Sequence, residues 1–528
     1  MSKVAHYLQE HILGEVLASA EARKHFAHDA SIFTVIPQIV VYPRNESDVR
    51  KTARFSWQLA ERGRTLPITA RGFGSDQSGA AIGSGIITVF PAHMNKILEL
   101  DNKTGAVTVE PGISYGKLQQ VLRTHGRFLP AQPSSEDLST VGGAIGNNDS
   151  GAKFLKYGSM RRYVKELRVV LANGEVIETK RMHKRELNKK LGLATFEGEI
   201  YRSLDALLEE NIDTLQKMHR DVTKNTAGYE LADVKRKDGS FNLTPLIVGS
   251  QGTLGIVTEA VLNTELYNPS ITLVAGFFDD AKVAGEVIND LRKLPDIPVS
   301  VELVDEQLLK LAEKFNPNQL KNVVEPPLPK LVLLIEFDNL GVRTQKRMAK
   351  KVQKILGHYQ VKCKIETEGD AKDRLLKIRR LASWVAMNTD NHAKALPVID
   401  DGIVPPDKFS EFFEGIQALC SSHHLSTGVW GHAADGNMHM QPFLDLSQVG
   451  DRQKLFKIME EYYNLVISLG GSTSGENNDG RIRAPYLKRM YGDDAYGLMQ
   501  KVKQIFDPYG TLNPGVKINV TLDDIKPL

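Results

Sequence analysis

Three glycine-rich runs constrain this chain more than any other feature. The first is Arg71-Gly72-Phe73-Gly74-Ser75-Asp76-Gln77-Ser78-Gly79, set between the hydrophobic stretches Pro67–Ala70 and Ile86–Phe90. The second runs from Ser139 to Gly151 and the third from Val248 to Glu259. Glycine carries no Cβ, so backbone at such places can approach a flat ligand closely. The first run reads Gly-x-Gly-x-x-x-x-Gly and no helix directly follows it, which excludes the Rossmann fingerprint; the Walker spacing is absent too. A loop between strands can instead line up successive N–H groups into an anion-binding concavity. One such loop is usually only a tight turn. Three within one domain fit a long, extended nucleotide cofactor.

The texture of the chain divides it. Residues 1–35 read as a helical lead-in, with apolar positions at Leu8, Ile12, Leu13, Val16 and Leu17. From 36 to 267, short strands are punctuated by glycine: Ile39–Val41 is a strand, and Asn45–Arg62 a helix opened by Asn-Glu-Ser-Asp. From 268 to 528 the spacing predicts an α+β half, with strands at Ile271–Phe277 and Leu331–Phe337 and helices at Ala281–Leu294 and Gly341–Leu356. Glu325–Pro329 is a linker within that half. With 67 basic against 64 acidic residues, the charge is too balanced for nucleic acid as the main ligand. The basic run Lys180–Arg185 reads as a solvated insertion. No apolar run is long enough for a membrane span and no signal-peptide core is visible, so the expected location is cytoplasmic, with attachment to the inner face of a membrane left open.

Near the C-terminus two further stretches carry chemistry. They are Gly431-His432-Ala433-Ala434-Asp435-Gly436-Asn437-Met438-His439 and Gly470-Gly471-Ser472-Thr473-Ser474-Gly475-Glu476-Asn477-Asn478-Asp479-Gly480. Ser426–Trp430 and Asn437–Phe443 read as two strands joined by an Asp-Gly turn, which supplies a positive φ cheaply. In a four-residue hairpin His432 faces Asn437, and alternation puts Asn437, His439 and Gln441 on one side. Either imidazole alone is better read as a hydrogen-bonded core residue. Two on one face, beside a glycine-rich loop bearing Glu476, favour a divalent metal site.

The ordered set Arg71-Gly72-Phe73-Gly74-Ser75, Glu110-Pro111-Gly112, Thr140-Val141-Gly142-Gly143, Lys224-Asn225-Thr226-Ala227-Gly228-Tyr229 and Gly249-Ser250-Gln251-Gly252-Thr253-Leu254-Gly255 resembles the FAD-binding domain of the p-cresol methylhydroxylase/vanillyl-alcohol oxidase type. The second half, with Ile399-Asp400-Asp401-Gly402-Ile403-Val404-Pro405-Pro406 and Leu512-Asn513-Pro514-Gly515, resembles the FAD-linked oxidase C-terminal domain of D-lactate, glycolate and D-2-hydroxyglutarate dehydrogenases. The resemblance covers roughly residues 36–518. It implies an α+β fold: a two-subdomain FAD-binding domain followed by an α+β substrate (cap) domain.

It also implies a set of roles. The FAD pyrophosphate is expected on Arg71, Gly72, Phe73, Gly74, Ser75, Asp76 and Gln77 and near Pro133 and Ser134. Flavin contacts are expected from Gly142, Gly143, Asn148, Gly151, Gly252, Thr253, Gly255, Ile256 and Val257, with Asn513 completing the set. Some members link flavin covalently through a His beside the first loop; Ser75 and Asp76 stand there, so FAD is expected to be non-covalent. Asp149 brings an extra carboxylate close to the cofactor. His432, His439 and Glu476 match the ligands of a divalent ion, with zinc, manganese and iron all admitted. The family's base, a His after the Glu, is Asn477 here, and the Gly that follows is Asn478. An amide cannot act as a general base near pH 7.

Three outcomes stay open: another base such as His392 or a metal-bound hydroxide, an unusual substrate, or FAD binding without oxidation. Arg379 matches a substrate-binding Arg suited to a distal carboxylate; a surface ion pair is the competing reading. Arg481 and Arg483 are further candidates. The expected reaction is oxidation of a D-2-hydroxy acid. Cys363 and Cys420 cannot hold an iron–sulfur cluster alone, and the sequence ends soon after Gly515, so the electron acceptor is expected to be external: a quinone, an electron-transfer protein or a separate iron–sulfur subunit. A homodimer is left open. The alternatives are a non-redox flavoenzyme like alkyl-dihydroxyacetone-phosphate synthase and a catalytically degenerate FAD-binding subunit.

Overall fold

The computed structural model describes residues 3–318, 320–390 and 392–528. Two larger sheets and the small pair Arg127–Phe128 with Glu265–Leu266 build the first half. One has four strands in the order Glu15–Leu17, Ile39–Tyr42, Ile86–Val89, Ile68–Arg71; the last three run parallel. The other is antiparallel and five-stranded, in the order Ile97–Leu100, Val107–Val109, Ile256–Leu262, Val164–Val170, Val176–Thr179. The helix Glu46–Glu61 starts where Asn45 accepts the N–H of Asp48. The Gly72–Gly85 stretch between Ile68–Arg71 and Ile86–Val89 is not helical, as its sequence predicts.

The lead-in departs from the helical reading. Lys3–His11 is a helix, but Glu15–Leu17 is an edge strand, Val16 pairing with Val41. The buried Asp48 carboxylate fixes the turn before it by accepting the N–H groups of Leu13 and Gly14. Only the strand partner reveals this; three residues are too few for a sequence period.

The second half is a six-stranded antiparallel sheet, ordered Lys362–Glu366, Thr272–Phe278, Leu331–Phe337, Ser300–Asp305, Val429–His432, Asn437–Met440. Leu331–Phe337 is buried at every position because both sheet faces are covered. On one face Val274, Leu303 and Ile335 meet Ala284–Leu291 and Met348–Leu356. On the other, Leu273, Val304 and Leu334 meet Leu308–Ala312 and Leu375–Val385. The chain then returns to the first half: Leu498, Met499, Val502 and Phe506 of the helix Leu487–Phe506 join its core, and Leu512 bridges Ile68. Among the described residues, no helix is long and apolar enough to cross a membrane.

Candidate functional site

The histidine hairpin forms as its alternation predicts. His432 pairs with Asn437, and Trp430 with His439. Ala433–Asp435 makes a single tight turn, and Gly436 takes φ +75°. Both Nε2 atoms point at one oxygen: Glu476 Oε1 lies 3.2 Å from His432 and 3.3 Å from His439. The ligand atoms of the three residues all lie within 4.8 Å of one another. Each ring is oriented from behind. His432 Nδ1 donates to Glu302 at 2.9 Å, and His439 Nδ1 donates to Asp400 at 2.8 Å. A carboxylate behind each imidazole fixes its tautomer and raises its basicity, as metal-ligating histidines require.

The charges fit the same purpose. Burial alone would depress the His432 imidazole, but Glu302 and Glu476 outweigh it and hold its pKa at about 9. Burial also depresses His439, and Asp400 and Glu476 outweigh it, lifting it well above the ordinary value. Burial favours the acid form of Glu476, yet Lys224 and His432 hold its carboxyl well below the usual range. This is a buried anionic nest that wants positive charge, and two imidazoles with a carboxylate suit a divalent ion.

Glu302 and Lys224 escaped the sequence reading of this site. A charge in the middle of the otherwise apolar Val301–Val304 run of the strand Ser300–Asp305 was the available signal for Glu302. Asp400 and Asp401 stood in a motif without a role. Asp401 accepts the backbone N–H groups of Glu476 and Asn477, so it shapes the loop.

Around this nest the other expected residues fall into groups. The first glycine loop, the helix Val141–Asn147 and the Ser250–Gly252 turn converge: Ser75 Oγ lies 3.4 Å from Ser139 Oγ, and Gln251 donates to Asn147 at 3.0 Å. Among the described residues, none of the backbone N–H groups from Phe73 to Gln77 donates to a protein acceptor. Such a row is ready for an anion like a pyrophosphate. Gly143 is exposed on the first turn of its helix, beside the half-buried Gly142. A Cβ on Gly151 would run into Gln132 O, so this glycine lets the Pro133–Ser134 segment close in.

Asn148 caps that helix in the left-handed region, and its side chain binds Arg161 N. Thr253 is buried, its hydroxyl bonded to Ser250 O and Tyr229. Gly255 packs on Val169, and Ile256 and Val257 begin a strand. Asn513 gives its amide to Ala80 O and Gln251 O, so its side chain is committed to the protein. Asp149 is pushed well above the carboxylate range by burial and by Glu476, Asp76 and Asp401, which favours a neutral acid rather than an extra charge.

Asn477 is tethered only through its backbone; among the described residues no hydrogen bond engages its half-buried side chain. Arg379 Nη2 lies 2.8 Å from Glu336 and donates to Ser300 at 2.9 Å, while its Nε is buried without a partner. His392 is exposed on a turn, where its imidazole acts on Asp445. Arg481 and Arg483 are largely buried, and Arg481 Nε has no hydrogen-bond partner among the described residues. Arg481 binds Gly515 O and Ile82 O, and Arg483 binds Asn478 O and Asn477 O.

Residues 37–180 match the family model of an FAD binding domain, and residues 268–516 that of FAD linked oxidases, C-terminal domain. The chain belongs to the FAD-linked oxidases built from these two domains. It is similar to a D-2-hydroxyglutarate dehydrogenase of Escherichia coli (strain K12), 31% identical over 96% of this chain and 50% of that protein. It is also similar to the glycolate oxidase subunit GlcD of Bacillus subtilis (strain 168), 28% identical over 94% of this chain and 92% of that one. The chain spans about half the length of the first of these relatives. Its fold is that of the solved 4-ethylphenol oxidase from Gulosibacter chungangensis, with a TM-score of 0.70 at 15% identity, covering 99% of each chain.

Proposed function

We propose that this chain is an FAD-dependent dehydrogenase of a D-2-hydroxy acid, with a divalent metal held by His432, His439 and Glu476. The observation that carries the reading is the convergence of both Nε2 atoms on Glu476 Oε1, each ring backed by a carboxylate. The similarity to 2-hydroxyglutarate and glycolate enzymes supports the substrate class.

FAD bound along the glycine loops supplies a hydride acceptor at N5. A metal at the histidine nest supplies a Lewis acid that lowers the pKa of a chelated hydroxyl. The protein's own residues do the rest. The Phe73–Gln77 amides would hold the phosphates, and Arg379, a guanidinium already paired with Glu336, would be the candidate for a second carboxylate. Asn477 presents an amide beside Glu476; it can donate or accept a hydrogen bond but cannot take the hydroxyl proton. Oxidation would therefore release the hydroxyl proton to water instead of an imidazole on this loop, which costs about 10²–10⁴-fold relative to enzymes that have such a base. A bound flavin would need an external acceptor for the two electrons, since Cys363 and Cys420 cannot hold an iron–sulfur cluster alone.

The test is a dye-linked assay with D-lactate, glycolate and D-2-hydroxyglutarate, with and without a chelator. Dye reduction that the chelator abolishes and that NAD does not replace is expected. Robust NAD reduction by the isolated chain, or turnover indifferent to metal removal, would sink the proposal.

A further inference from the structure

The segment Lys224–Gly228 belongs to the FAD-binding half, yet it is laced to the Glu476 loop of the other half. Thr226 N donates to Ser474 O at 3.0 Å, Ser472 donates to Asn225 at 2.8 Å, and Gly228 N donates to Asp479 at 2.8 Å. The first residue of this segment reaches furthest. Lys224 Nζ lies 2.8 Å from Glu476 Oε2, and the same oxygen accepts Ser150 Oγ at 3.0 Å and Gly151 N at 3.2 Å. The two oxygens of Glu476 are thus divided. Among the described residues, Oε1 faces only the imidazoles, while Oε2 carries three donors from the FAD-binding half. The Lys224 side chain is 2% exposed and its ammonium lies over the Phe154 ring, so no substrate reaches it.

We infer that Lys224 is a positioning residue that fixes Glu476 as a one-oxygen metal ligand, with Ser150 and Gly151 as auxiliaries. The metal nest is then completed across the boundary between the two halves, beside the glycine turn expected to touch flavin. The inference rests on the metal reading above. Removing a cation would by itself favour metal binding, because it leaves Glu476 unscreened. A positioning role predicts the opposite: a freed carboxylate swings off its aim, and partners of this kind are typically worth ~10–100-fold in metal affinity.

Cobalt(II) titration of the FAD-loaded protein separates these outcomes, read by the visible absorption of bound cobalt. Lys224→Met is expected to weaken binding at least about tenfold and to alter the cobalt spectrum with FAD content unchanged, and Lys224→Arg to recover most of the affinity. Unchanged or tighter binding by Lys224→Met, with the wild-type spectrum, would overturn the role of Lys224 and leave the metal reading intact. Wild type that takes up no cobalt would overturn both. Should Lys224→Met fail to hold FAD, Ser150→Ala carries the test: weaker binding with an altered spectrum supports the clamp, and wild-type affinity and spectrum overturn it.

Discussion

Replacing Asn477 by His tests the chemistry at its weakest point. The loop is built to survive the change. Asn477 is held through its backbone, its N–H donating to Asp401 at 2.8 Å and its carbonyl accepting from Arg483 at 3.3 Å, and no side-chain bond is lost. The neighbouring Asn478 takes φ +63°, the left-handed conformation a glycine would adopt there. Its amide donates to Asn147 O and Gly249 O, both at 2.9 Å, so the turn is pinned. An imidazole at 477 would stand on the residue next to Glu476. Full general-base help is worth about 10²–10⁴-fold; with imperfect placement, a gain of at least about tenfold is expected. The assay is stopped-flow flavin reduction by a D-2-hydroxy acid under anaerobic conditions, followed against pH. A new limb near the pKa of a histidine should accompany the gain. A fast wild-type reaction that the His substitution abolishes would refute the reasoning, because Asn477 would then have a positive role.

Three other outcomes are expected. Acid precipitation should release all of the FAD, since Ser75 stands where a linking His would be; flavin retained in the pellet would show a covalent bond. Changing His432, His439 or Glu476 to Ala should each remove the metal while FAD stays, and stoichiometric metal in all three variants would rule out the nest. Burial raises the Asp305 carboxyl to about 7 from an ordinary 3.8, so the folded state holds that proton more tightly than the unfolded chain. The associated stability is full at low pH and is lost as pH rises through about 7. Asp305→Asn keeps the Oδ1 acceptor used by Leu308 N and Val429 N, so its urea midpoint should gain on wild type between about pH 4 and about pH 7. Parallel curves would contradict this.

What the sequence revealed and what it hid follow from how local each signal is. The His432–His439 hairpin was readable because a period of two and one Asp-Gly turn fix its register within a few residues. The glycine loops were readable because their backbone demands glycine locally. Glu302, Asp400 and Lys224 were hidden as partners because each meets the nest through contacts spanning 130, 39 and 252 positions. The backbone carbonyls that Arg481 and Arg483 bind were hidden too, Ile82 O lying 399 positions from Arg481. The Glu15–Leu17 strand was hidden for a similar reason: its only evidence is its neighbour.

The most direct measurement of the central claim is anaerobic bleaching of the flavin by matched D- and L-2-hydroxy acids, using protein loaded with FAD and a divalent metal. Loss of the oxidised-flavin absorption with a D-isomer, slow in wild type and absent once the metal is removed, is the predicted result. Bleaching by L-isomers alone, or by none of the panel in the fully loaded protein, would contradict the account; the second result would mark the chain as an FAD-binding subunit without its own oxidation.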